Sequence, residues 1–355
     1  MRPFTFRSLE ELEPGPVWAG TFEERWPHYR EWFLREGEAA RASYATGVRM
    51  LRAHMPELMP VYDRLVELAG GGDLAARMLS LYRPPPYLAA CSQGVWTRAG
   101  GPILARNYDY APSRFEGLIW STRMVRPVIG SGDCLWGLLD GMNDAALAVS
   151  LTFGGRRVMG DGFGIPLVVR YLLETCETVS QARETLARLP VSLAHNLTVV
   201  DGEGEVVTAY LSPDRDPIFR SYPAATNHQG IVEWPEQAEA TRTIEREHCV
   251  IELVEDESQT AGGFAEAFLR PPLFSTGHTS GWPTLYTAVY RPVEGVVDYR
   301  WPTHIWRLGF SAFEQAEHTE TLSEDTGAGS VGIATPTPHA VNPPVDPGTA
   351  TDDPG

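Results

Sequence analysis

Apolar residues along this chain follow two rhythms that alternate in blocks. From 87 to 153 the short apolar, β-branched and aromatic runs 87–97, 102–108, 118–128, 134–139 and 145–151 predict strands. Ala99-Gly100-Gly101 joins the first two with a turn that tolerates positive φ, so they read as a β-hairpin. Gly141-Met142-Asn143 turns the last two. A helix pair follows at 165–176, with Pro166 in its first turn, and at 180–189, with Ser180 as cap. Strands return at 193–200 and 206–211 around Asp201-Gly202-Glu203-Gly204, and Thr226-Asn227-His228 closes a further short one. Helices at 235–254 and 260–269 lead to strands at 284–290, 296–299 and 304–308. This order predicts an α+β fold in which two antiparallel sheets stack face to face with helices outside both.

The ends of the chain read differently. Residues 1–90 predict a helical N-terminal segment: Tyr29, Trp32 and Phe33 give an apolar face, Thr21 with Glu24 resembles a capping box, and Pro27 sits near a helix start. His54-Met55-Pro56 breaks that helix, a second spans 58–68 and ends at Gly70-Gly71-Gly72, and a third spans 73–82 before Pro84-Pro85-Pro86. From 314 to 355 the chain is Thr, Pro, Gly and acid, a composition that buries too little apolar surface to fold, so disorder is expected there. The expected division is therefore 1–90, a catalytic domain 91–313 and a tail 314–355.

Composition excludes several classes of function. The 355 residues are 43% hydrophobic and carry a formal charge of −17, of which the tail supplies eight acids and no Lys or Arg, leaving about −9. No basic patch appears, which argues against nucleic acid. All 29 basic residues are Arg, so a lysine nucleophile or Schiff base is excluded. Cys91, Cys134, Cys176 and Cys249 show no paired or CxxC spacing, and the N-terminus has no apolar signal core, so a reducing, cytoplasmic location is expected. No run approaches a membrane span of roughly 20 residues. Nine histidines show no metal-ligand spacing, and neither a metal nor a cofactor is expected.

Candidate chemistry centres on the hairpin. Cys91 opens its first strand, where a thiol is ordinarily a buried core group. The second strand, however, brings back Arg106 and Asp109, fifteen and eighteen residues on. A guanidinium favours thiolate, and a carboxylate can hold an ammonium group.

Cys91 followed by Arg106-Asn107-Tyr108-Asp109-Tyr110 resembles the N-terminal-nucleophile (Ntn) hydrolases, in particular the choloylglycine hydrolase and penicillin acyltransferase group of linear-amide hydrolases. The resemblance covers roughly 35–310. It implies a four-layer αββα sandwich and self-cleavage between Ala90 and Cys91, with 1–90 and 91–355 remaining associated. The new α-amine, with a reference pKa of about 7.7–8.0, then serves as base for its own thiol. The resemblance also implies that Asn143, in a Gly-Met-Asn-Asp stretch, helps position nucleophile and substrate, and that Asn227 stabilises the oxyanion. Taken alone, an Asn after Gly is turn chemistry. Ala90 departs from the Gly often found before the nucleophile in the penicillin acyltransferase branch.

The implied activity is cleavage of a linear, non-peptide amide of a small molecule through an acyl-enzyme. Two alternatives stand beside it: acyl transfer from acyl-coenzyme A to an amine, and a catalytically silent relative that binds a ligand. With no Lys and no evident Arg cluster for coenzyme A phosphates, hydrolysis of an apolar acyl amide is favoured. Tyr110, Trp120, Phe163 and His228 are candidate substrate contacts. His228 also offers a rival, a papain-like pair with Cys91 that needs no self-cleavage. Gly160-Asp161-Gly162-Phe163-Gly164 lacks phosphate-loop spacing and reads as a flexible loop near the site mouth, and no GxSxG occurs.

Overall fold

The computed structural model describes residues 2–276 and 282–322. The chain opens with strand β1 (Arg2–Glu10) and helices α1 (Pro16–Leu34), α2 (Tyr44–His54), α3 (Met59–Leu68) and α4 (Asp73–Leu79). Six strands follow: the hairpin β2 (Ala90–Trp96) and β3 (Ile103–Asp109), then β4 (Leu118–Arg123), β5 (Pro127–Asp133), β6 (Gly137–Asn143) and β7 (Ala148–Phe153). After helices α5 (Ile165–Thr175) and α6 (Val179–Leu186) come β8 (His195–Val200), β9 (Val206–Ser212), β10 (Arg215–Arg220) and β11 (Ala224–Ala225). Helices α7 (Pro235–Ala240), α8 (Thr243–Glu255) and α9 (Ala261–Ala267) lead to β12 (Thr284–Arg291), β13 (Val296–Trp301), β14 (His304–Gly309) and β15 (Glu317–Leu322).

Two sheets result, ordered β10-β9-β8-β7-β6-β5-β4-β1-β15 and β11-β2-β3-β12-β13-β14. Every pairing is antiparallel except β1 with β4. The inner faces meet where β2 and β3 pack on β7; α5 and α6 cover the outside of the larger sheet, and α8 covers β2. This is a four-layer αββα sandwich. Gly94 makes the α8 contact possible, because a Cβ there would lie 2.5 Å from Val250 Cγ1.

Several expectations change. The segment before residue 90 is not purely helical: Phe4 and Phe6 alternate with Thr5 and Arg7, and this period-2 run forms β1, with Phe6 buried. The stretch expected to be tail from 314 contains β15, whose polar residues are held by a backbone ladder to β1 rather than by apolar burial. Residues 323–355 lie outside the described residues. Thr21 and Glu24 form no capping box, because they lie inside α1. Its start is capped instead by the Glu11 carboxylate, which accepts from Val17 N and Trp18 N at 2.8 Å each, and Pro27 falls within the helix. Gly141, Met142 and Asn143 belong to β6 rather than to its turn, and 118–128 bends into two strands. The cap of α6 is Thr178, two residues before the expected Ser180. The 235–254 helix breaks at Arg242, whose φ is 50°.

Candidate active site

Side-chain alternation along the hairpin decides what can meet Cys91. In β2, Cys91 and Gln93 point between the sheets, where the Gln93 amide lies between Ser150 and Thr198. Ser92 and Gly94 point outward to the helices, Ser92 accepting from Arg246 Nη1 at 2.9 Å. The register pairs Cys91 with Tyr108 and Ala90 with Asp109. Arg106 therefore shares the inner face with Cys91, while Asp109 stands on the outer face beside the Ala90–Cys91 bond.

On the inner face, Arg106 Nη2 lies 3.5 Å from Cys91 Sγ. Its Nη1 donates to Asp140 of β6 and to Tyr286 Oη at 3.0 Å, and the guanidinium sits 4.7 Å from the Tyr108 ring centroid. Asp140 in turn accepts from Tyr286 Oη at 2.6 Å and Tyr290 Oη at 2.5 Å. Cys91, Arg106 and Asp140 are all fully buried. Burial raises the Cys91 thiol above its ordinary value, and Arg106 only partly offsets that, so the thiol stays protonated in the uncleaved chain. Arg106 favours the thiolate, as expected of a nearby guanidinium, but desolvation is the larger effect.

On the outer face, Asn227 Oδ1 accepts from Cys91 N at 3.1 Å and from Arg246 Nη2 at 2.6 Å. Asn227 Nδ2 faces Phe153 O at 3.2 Å and Ala89 O at 3.4 Å, one peptide before the candidate cleavage bond. Asp109 accepts from Arg246 Nη1 at 3.1 Å and from Thr284 Oγ1 at 2.6 Å. Burial pushes its carboxyl up to about 6 against the pull of Arg246 and Thr284. Arg246, on α8, is the residue sequence reasoning missed. Nothing local marks it as functional, because its partners lie 137 and 19 residues away.

Cys91, Arg106, Asp109 and Asn227 come together; Asn143 does not join them. It lies an odd number of residues from Asp140 on β6 and so faces the α5 layer, donating to Leu173 O at 2.9 Å and Cys176 O at 2.7 Å. Its Oδ1 takes Ala145 N and Leu147 N, a set of four bonds that ties the β6–β7 turn to α5. The Cys91 and His228 pair is absent too. One residue from Asn227, His228 turns away, its Nδ1 3.1 Å from Thr243 Oγ1 and its Nε2 3.2 Å from Glu247. Phe163 is buried against Tyr82 and His54, and its loop is pinned by Phe163 N to Pro190 O and Gly164 N to Leu81 O, so it is neither flexible nor at the mouth. Trp120 is buried where Trp18, Trp136 and Arg170 meet, on the outer face of the larger sheet.

Tyr110 is placed differently. It lines a cavity of about 510 Å³ together with Tyr29 and Trp32 of α1, Phe115, and Pro86, Tyr87 and Leu88, the residues that lead into Cys91. No helix among the described residues is long and apolar enough to cross a membrane.

A four-layer αββα sandwich with a cysteine opening its central hairpin is the architecture of the Ntn hydrolases that handle linear amides. The chain belongs to the acyl-coenzyme A:6-aminopenicillanic acid acyl-transferase family, whose model matches residues 96–306. That span includes Arg106, Asp109, Asn143 and Asn227 and begins five residues after Cys91. No curated protein matches the chain. Among solved structures, a mutant conjugated bile acid hydrolase from Clostridium perfringens is similar at 11% identity over 66% of this chain and 97% of its own, with a TM-score of 0.46. Penicillin V acylase from Agrobacterium tumefaciens is similar at 12% over 66% and 92%, with a TM-score of 0.45. The Caenorhabditis elegans ortholog of N-acylethanolamine-hydrolyzing acid amidase is similar at 17% over 65% and 100%, with a TM-score of 0.44.

Proposed function

We propose that this protein is an autoproteolytically activated cysteine amidase that cleaves a linear, non-peptide amide through an acyl-enzyme. The observation that carries the reading is the double placement of Cys91: its sulfur lies 3.5 Å from Arg106 and its backbone nitrogen 3.1 Å from Asn227. Cleavage of Ala90–Cys91 turns that nitrogen into an α-amine, the base for the adjacent thiol. Asp109, opposite Ala90 in the ladder, then faces the new ammonium group. Asn227 Nδ2, which points to the backbone carbonyls at Ala89 and Phe153, supplies the oxyanion donor.

In mechanism, the amine takes the thiol proton, the thiolate adds to the amide carbonyl, and the leaving amine departs with that proton. Water, activated by the same α-amine, then frees the acid and restores the thiol. Intact mass analysis tests the first step. Wild type should give chains 1–90 and 91–355 that co-elute, and Cys91→Ala should give one uncleaved, inactive chain. An active, uncleaved wild type would sink the α-amine mechanism.

Acyl transfer from coenzyme A thioesters is the second reading, and the name of the family to which the chain belongs favours it. Assaying N-acyl amino acids against acyl-coenzyme A donors with an amine acceptor separates the two. Amine acylation without amide hydrolysis would overturn the preference for hydrolysis.

A further inference from the structure

The cavity lined by Tyr110 and by Pro86, Tyr87 and Leu88 contains chemistry that the proposed mechanism leaves unused. Glu116 and Asp133 both line it. The Tyr29 hydroxyl stands between them, donating to Glu116 Oε1 and lying 3.4 Å from Asp133 Oδ1. Glu116 Oε1 also takes Leu135 N at 2.9 Å, whereas its Oε2 is buried and has no hydrogen-bond partner among the described residues. Glu116 is only 4% exposed.

Neither carboxyl has an ion pair among the described residues, unlike Asp109 with Arg246. Arg25 pulls the Glu116 carboxyl down without forming an ion pair with it, donating to the Glu116 carbonyl at 3.2 Å and lying 3.4 Å from Glu24, and Arg35 donates to the Pro86 carbonyl. Arg114 faces the Tyr110 hydroxyl. Burial raises both carboxyls above their ordinary range, and the charge of Glu116 raises Asp133 further. A buried carboxylate pair with no direct ion-pair partner is costly, and an entering cation relieves that cost beyond what Arg25 does.

We propose that Glu116 and Asp133 form a subsite for a basic nitrogen, so that the ligand of this cavity is an amphipathic ammonium compound whose apolar part lies on Tyr29, Trp32 and Phe115. The proposal rests on the amidase reading only in taking this cavity for the substrate pocket; it replaces a purely apolar substrate with one carrying a cationic group. The aromatic wall adds cation–π attraction for the same nitrogen.

The test uses the full-length Cys91→Ala chain, which needs neither cleavage nor turnover, so that failure of the amidase reading leaves the binding result unaffected. Calorimetry with 2-phenylethylamine and its neutral counterpart 2-phenylethanol should show the amine binding roughly tenfold tighter or more, the size of one charge-assisted hydrogen bond. Adding Glu116→Gln or Asp133→Asn should bring the ratio to within about threefold, since each keeps an oxygen acceptor for Tyr29 or Cys134 while removing the charge. Equal binding of amine and alcohol, or a ratio that survives both substitutions, would overturn the proposal. Where either substitution fails to fold, Trp32→Ala decides. A loss of 2-phenylethylamine affinity of about threefold or more in that variant supports binding in this cavity, and unchanged affinity overturns it.

Discussion

Two guanidinium groups close on Cys91 from opposite faces of the same sheet. Arg106 sits between the sheets, where a carboxylate and a tyrosine hydroxyl meet Nη1 while Nη2 faces sulfur. Arg246 arrives from a helix on the outer face and never meets the sulfur; it holds Ser92, Asp109 and Asn227, the groups around the backbone nitrogen. Arg106 is therefore the stronger of the two charges acting on the thiol and Arg246 a weaker one, while Arg246 holds the groups around the future amine. The first is a residue of the inner face and the second a buried residue of α8.

The largest expected effect falls on the inner face. Asp140→Ala strands the buried Arg106 charge and should lower stability by about 3–5 kcal/mol, read by urea unfolding. A loss below about 1 kcal/mol would mean that the tyrosines suffice. On the outer face, Asn227→Ala should raise the barrier by about 2.7–4 kcal/mol, seen in kcat with KM little changed. A variant that loses affinity alone would remove the oxyanion role.

Asn143→Ser serves as the control for a buried asparagine outside both networks. It should cost about 1–3 kcal/mol of stability with kcat unchanged. A turnover defect as large as that of Asn227→Ala would return Asn143 to the site. The smallest effect is a shift with pH. Arg246 pulls the Asp109 carboxyl down, so Arg246→Met should raise it, and Asp109 must be ionised to hold an ammonium group. The acid limb of kcat/KM should thus move to higher pH by about one unit, worth about 1.4 kcal/mol. For the uncleaved chain the sign is fixed likewise. A carboxyl raised to about 6 contributes stability that is present below its ordinary 3.8 and lost as pH rises through 6.

The order of strands and helix pairs was legible because periods of 2 and 3.6 are local, and so was the hairpin that puts Arg106 against Cys91. Which face Asp109 occupies follows from ladder parity, which needs the register. Asn143 and Asn227 look alike in sequence, both buried asparagines near strand ends. Only the parity of β6 against Asp140 turns the first away from Cys91. Arg246 was invisible because its network closes across 137 residues. Strand β15 has no apolar signature, and its hydrogen bonds to β1 exist only once both are made.

That last pairing has a consequence for synthesis. Thr5 meets Thr319 across a separation of 314 residues. At translation rates of 5–20 residues per second, the first strand waits roughly 15–60 s for its outer neighbour. Throughout that interval Phe4 and Phe6 stand on an unprotected edge, a template for pairing with another nascent chain. Yield of the protein should therefore depend on the ribosome's pace and on holdase chaperones more than the finished sheet, with β1 inside it, suggests.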